Sequence, residues 1–261
     1  MNIQIENKKG SVLDSAKGQE SCSLIYREAY REGDRIVIQT DHYPCALEIK
    51  VDDTMDAGRV WLTGTELIYI IPFGEAHDAY APEAFQGTRH IIEVHEIPEE
   101  DWKTYGNLSV NPIDQRGETN YYPHCTASVE TRGESVFAAR NTIDGLYENT
   151  CHGEWPYTSW GDNEDPRASI TIEFGEKVLT DKIAIQLRAD FPHDNYWHSI
   201  KLLFSDGTFQ ILSMEKTADV QYFTYENRMT SSVTLCELQK DENDPSPFPA
   251  LTQWAVYGCP V

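Results

Sequence analysis

The sequence predicts an all-β protein built as two β-sandwich, jelly-roll-like domains. Two observations lead there. Nearly all the apolar periodicity has a period of two, the mark of strands buried on one face, and turn signals recur at short intervals with no long helical pattern between them. In the second half, Ile170, Ile172 and Phe174 alternate with Ser169, Thr171 and Glu173, and Ile183, Ile185 and Leu187 repeat the pattern. Ile200, Leu202 and Phe204 run into Ser205-Asp206-Gly207-Thr208, a strong turn signal, with 209–212 as the returning hairpin strand. Segments 220–225, 233–238 and 254–257 complete the series, and short strands at this spacing predict an antiparallel sandwich or barrel. In the first half the expected strands are 35–39, 47–51, 60–62, 67–71 and 90–96. Short helical turns are expected after Pro82 and Pro98, since proline suits the first helical position. A polar stretch after the second turn sets the boundary near Thr104, giving domains 1–104 and 105–261.

The chain of 261 residues is long enough for one large domain or two of ordinary size. Its formal charge of −22 repels nucleic-acid phosphates and acidic lipid, so neither is an expected partner. No stretch approaches the roughly 20 apolar residues that span a bilayer. Segment 1–18 lacks the apolar core of a signal peptide, so the chain reads as cytoplasmic or as the mature form of an exported protein. Six cysteines lie scattered without a Cys-x-x-Cys pair, which favours buried thiols over a zinc or redox site. Gly-x-Ser-x-Gly, His-Glu-x-x-His and Gly-rich phosphate loops are all absent, and 43 acidic residues give too many carboxylate pairs for the sequence to select one. His90 and His95, five apart on an expected strand, face opposite sides and suit no common metal.

From about Cys125 onward the order of features resembles the discoidin, or coagulation-factor type C, family, which includes bacterial family 32 carbohydrate-binding modules. The matching pieces are Thr126-Ala127-Ser128 with Asn141-Thr142-Ile143-Asp144-Gly145, Thr158-Ser159-Trp160 with the strand ending at Gly175, Phe204-Ser205-Asp206-Gly207, and the closing Trp254-Ala255-Val256-Tyr257-Gly258. The first half resembles no known family.

The resemblance implies a structural calcium ion pinning the Asp-Gly loop to the last strand, because a hard cation gathers six to eight oxygens. Its ligands here would be Asn141, Asp144, Thr158 and Gln253. The family usually carries Glu at the last position, and Gln removes one negative charge. The alternative is an Asn-Asp-Gly turn that holds itself by side-chain-to-backbone hydrogen bonds.

The resemblance also implies a sugar site formed by His152, Trp155, Arg188, His193, Asn195 and Phe248. His152 and Arg188 would bind the axial hydroxyl of a galactose-like ring, Asn195 its neighbour, with His193 or Asp194 as substitutes. Trp155 and Phe248 would cover the apolar C–H face. The expected function is non-catalytic binding of a terminal galactose or N-acetylgalactosamine. A protein-interaction or assembly module is the alternative, and a sugar-active enzyme with its site in the first domain is a third reading.

Overall fold

The chain's alternating segments close into strands that are deep on one face and wet on the other, as a computed structural model describes for residues 1–149, 155–189 and 195–261. Two antiparallel sheets form the N-terminal unit. The first takes its strands from β1 (Asn2–Glu6), β2 (Val12–Lys17), β4 (Arg35–Gln39) and β7 (Glu66–Ile70), in the order β2-β1-β4-β7. The second contains β3 (Ser21–Tyr26), β5 (Cys45–Lys50), β6 (Gly58–Leu62) and β8 (His90–Glu96). Ile3, Ile5, Ile36 and Ile38 from one sheet share a core with Leu24, Leu47, Ile49 and Val60 from the other. The strands β1, β2 and β3 were not expected from the sequence. Pro98 does precede a helix, α1 (Glu99–Trp102), whereas the segment after Pro82 forms turns only.

The C-terminal unit is a sandwich folded from one continuous ladder. It comprises β9 (Gly106–Asn107), β11 (His124–Ala127), β12 (Trp160–Gly161), β13 (Ile170–Leu187), β14 (Trp197–Phe204), β15 (Phe209–Ser213), β16 (Gln221–Lys240) and β17 (Ala250–Pro260). The early part of β13 pairs β11, and its later part, from Val178 to Leu187, pairs β17. β16 runs beside both parts, with register shifts between Glu173 and Val178 and between Thr180 and Lys182. At these bulges the ladder bends over its own core of Ile170, Ile172, Ile183, Ile185, Leu202, Leu235 and Val256. The Ser-Asp-Gly turn joins β14 to β15 as expected: Gly207 takes the left-handed φ of +84°, and Asp206 Oδ1 accepts the Thr208 N–H at 2.8 Å.

The chain crosses between the units more than once. β9 joins the C-terminal ladder, and then β10 (Tyr121–Tyr122) extends the second N-terminal sheet beside β6. Among the described residues no helix is long and apolar enough to cross a membrane. The thiols of Cys22, Cys45 and Cys125 are free and buried.

Candidate functional site

At one end of the C-terminal sandwich, β13 stops and β17 starts side by side. The Arg188 N–H donates to the Ala250 carbonyl at 2.8 Å. The Arg188 side chain is buried, and its Nη1 donates to the Tyr157 carbonyl at 2.7 Å. Asn195 is buried as well. Its Nδ2 donates to the carbonyls of Ser246 and Asp241, and its Oδ1 accepts the Tyr196 N–H at 2.7 Å. These bonds tie three loops together and fix the segment that carries Phe248. Phe248 itself is 47 % exposed.

Phe248 borders a recess of about 260 Å³ whose other walls include Phe137, Arg132, Ser159, Asp162 and Asn163. The recess combines an apolar ring with convergent polar groups. The Ser159 hydroxyl is buried and has no hydrogen-bond partner among the described residues. Asp162 is anchored by the Trp197 indole, whose Nε1 donates to Oδ2 at 3.1 Å, and burial pushes its carboxyl up from the usual range. Trp197 in turn packs against Trp160, with ring centroids 5.9 Å apart. Three non-glycine residues here, Arg132, Asn163 and Glu164, hold left-handed backbone with φ of 52°, 49° and 59°. Such conformations cost energy and persist where surrounding structure imposes them. Gly161 is closely approached, since a Cβ there would meet Thr131 Oγ1 at 2.6 Å unless that hydroxyl turned away.

Of the expected sugar-site residues, Phe248 lines this recess, whereas Arg188 and Asn195 lie buried at the same end of the sandwich, hydrogen-bonded to backbone carbonyls and outside its lining. His152 and His193 lie outside the described residues. Trp155 lines a different recess, of about 100 Å³, between the two units beside Met55, Tyr80 and Arg140, and it packs against the N-terminal core. Trp155 and Phe248 therefore do not flank one cavity. Sequence reasoning missed Arg132, Ser159, Asp162 and Asn163. The available signal was the run Gly161-Asp162-Asn163-Glu164-Asp165 directly after Trp160, a polar turn too dense to be a mere strand end.

Of the expected calcium ligands, Asn141, Asp144 and Gln253 come together, joined by direct hydrogen bonds. Gln253 Nε2 donates to the Asn141 carbonyl at 2.6 Å and to Asp144 Oδ1 at 2.7 Å, while its Oε1 accepts the Gly145 N–H at 3.1 Å. The Thr158 carbonyl accepts Asn149 Nδ2 at 2.9 Å. Asp144 is buried, which pushes its carboxyl up to about 6 against the pull of the Arg140 guanidinium, and its Oδ2 has no hydrogen-bond partner among the described residues. That spare oxygen is the one feature a cation could use. The nitrogen lying between Asn141 and Asp144 is nevertheless a donor, so the arrangement does not fit calcium as it stands. Among the described residues no three His, Cys, Asp or Glu side chains are grouped to hold a metal ion.

No family model and no curated protein matches the chain. Solved structures do. Carbohydrate-binding modules are among its neighbours there, as are GH29 glycosidase structures. Chitosan-binding module 1 of a chitosanase/glucanase from Paenibacillus sp. IK-5 is 16 % identical, with 59 % of this chain and 99 % of that chain covered at a TM-score of 0.41. The family 32 module of NanJ from C. perfringens, solved in complex with galactose, is 18 % identical over 51 % of this chain and 91 % of that one, at 0.39. A fucose-binding module from Streptococcus pneumoniae is 12 % identical over 58 % and 97 %, at 0.41.

Proposed function

We propose that this protein binds a carbohydrate in the Phe248 recess, and that the ligand is a terminal galactose-like sugar. One observation carries the reading: a half-exposed aromatic on a braced loop lines the same recess as Ser159, whose buried hydroxyl has no hydrogen-bond partner among the described residues. A sugar supplies both complements at once, an apolar C–H face for the ring and hydroxyls for the polar wall. The volume is just below the roughly 300–1,000 Å³ typical of drug-sized sites, which suits one sugar ring better than a chain.

In this reading Phe248 covers the C–H face, while Ser159, Asn163 and Arg132 bind neighbouring hydroxyls. Arg188 and Asn195 position the Phe248 loop, and the galactose-like preference follows the sequence resemblance. A glycan array probed with the full chain is expected to light up on glycans ending in galactose or N-acetylgalactosamine. A free monosaccharide should bind near millimolar, about −4 kcal/mol. Phe248→Ala should weaken binding about tenfold or more, a loss of about 1.4 kcal/mol, at an unchanged melting temperature. Silence across the array, or full affinity in Phe248→Ala, would overturn the assignment.

A further inference from the structure

We infer that the Asp-Gly loop of the C-terminal sandwich is closed by the side-chain amide of Gln253, which stands where a cation would otherwise sit, and that the fold is independent of calcium. The loop leaves the 3-10 helix Ala139–Ile143 at Asp144, its C-cap, and Gly145 takes a φ of +86°. Gln253 reaches this turn from the middle of β17, beside Gln186 of β13, and is 2 % exposed. Its amide donates both N–H groups to the loop, to the Asn141 carbonyl and Asp144 Oδ1, and its oxygen accepts the Gly145 N–H. The Gly145 contact fixes the orientation. Rotating the amide by half a turn would set its oxygen against two acceptors and its NH2 group against a donor.

Charge points the same way. A glutamate at 253 would place two carboxylates against one carbonyl in a buried site, and such a set binds a divalent cation. With glutamine only Asp144 remains, and the buried Arg140, which shares a recess with it and donates Nη1 to Asn141 Oδ1 at 3.1 Å, supplies a fixed positive charge. Among the described residues, the Arg140 guanidinium already offsets the negative charge of Asp144. Trp254, the next residue along β17, adds a second clasp by donating Nε1 to Thr142 Oγ1 at 3.0 Å.

The test uses the full chain and calcium chloride as the probe. The wild-type protein, stripped with EDTA and titrated calorimetrically, is expected to show no saturable heat, and its melting temperature should be the same in chelator and in millimolar calcium. Gln253→Glu should melt lower than wild type in chelator and recover by several degrees in calcium, with about one ion bound. Saturable calcium binding that raises the wild-type melting temperature would overturn the inference. A folded Gln253→Glu protein indifferent to calcium would overturn the claim that the amide stands in the cation's place. The wild-type titration decides the first point whether or not the variant folds, and neither result depends on sugar binding.

Discussion

At the scale of single residues, the recess wall is held by side chains such as Asp162 whose polar atoms are bonded inside the sandwich. Asp162 illustrates the point. It sits on the recess wall with Oδ1 on the Glu164 N–H at 3.0 Å and Oδ2 on the Trp197 indole, so its position is set from inside the sandwich. Trp197→Phe keeps most of the apolar packing and removes that donor, leaving a buried acceptor unpaired. A loss of about 1–3 kcal/mol in urea denaturation is expected, together with weaker sugar binding because the wall is no longer held. A stability change below about 0.5 kcal/mol would show that water takes the indole's place. The amide of Gln253 and the Arg188–Tyr157 bond belong to the same class of committed polar contacts. Of these residues, Arg188, Asn195, Phe248 and Gln253 could be singled out in the sequence because a resemblance gave them an address. Ser159, Asp162 and Asn163 could not, since a hydroxyl or a carboxylate in a polar turn acquires meaning only from the loops that fold against it.

At the scale of elements, β11 is fastened to the preceding loop by an ion pair that titrates. His124 Nδ1 lies 2.7 Å from Asp114 Oδ1, and Asp114 Oδ2 accepts the Cys125 N–H at 2.9 Å, with both side chains almost fully buried. Burial opposes the charged ring, but the hydrogen bond and negative charge of Asp114 outweigh it, so the histidine pKa is raised above its ordinary value of 6.5. The folded state therefore holds the proton more tightly than the unfolded state. The resulting stability is fully present below pH 6.5 and is lost as pH rises through the folded value. Melting temperature measured from pH 5.5 to pH 9 should show a downward component that disappears in His124→Gln; an identical profile in the variant would remove the pair from the account. Elements were legible in the sequence where alternation runs unbroken, as in β8 and β14. The two longest strands, β13 and β16, each read as two segments because their register shifts interrupt the period of two. β2 escaped because its apolar Val12 and Leu13 are adjacent and exposed while Asp14 and Ala16 face inward, so no period-two apolar contrast marks it.

At the scale of the whole molecule, residues 105–123 stitch the units together, and this makes the expected boundary at 104 a testable proposition. Gly106 and Asn107 pair with β17, yet Ile113 and Tyr121 are buried in the N-terminal core and Tyr121–Tyr122 extend its second sheet. The contacts across the junction are also specific: Trp102 Nε1 donates to Glu176 at 2.7 Å, and Gln115 makes both backbone bonds to Ile70, at 2.9 and 2.7 Å. A fragment ending at 104 would lose two large core side chains and leave the β6 edge unpaired. Removing even one buried side chain of this size from a core typically costs about 2–5 kcal/mol, a large share of the about 5–15 kcal/mol that holds a domain together. The fragment 1–104 is therefore expected to be unfolded or aggregated by circular dichroism, whereas 1–123 recovers strand signal. The intact protein should melt in one calorimetric transition, because unfolding either unit strips core or ladder from the other. Two well-separated transitions, or a cooperatively folded 1–104 fragment, would mean that the stitching segment decorates two independent sandwiches rather than joining them.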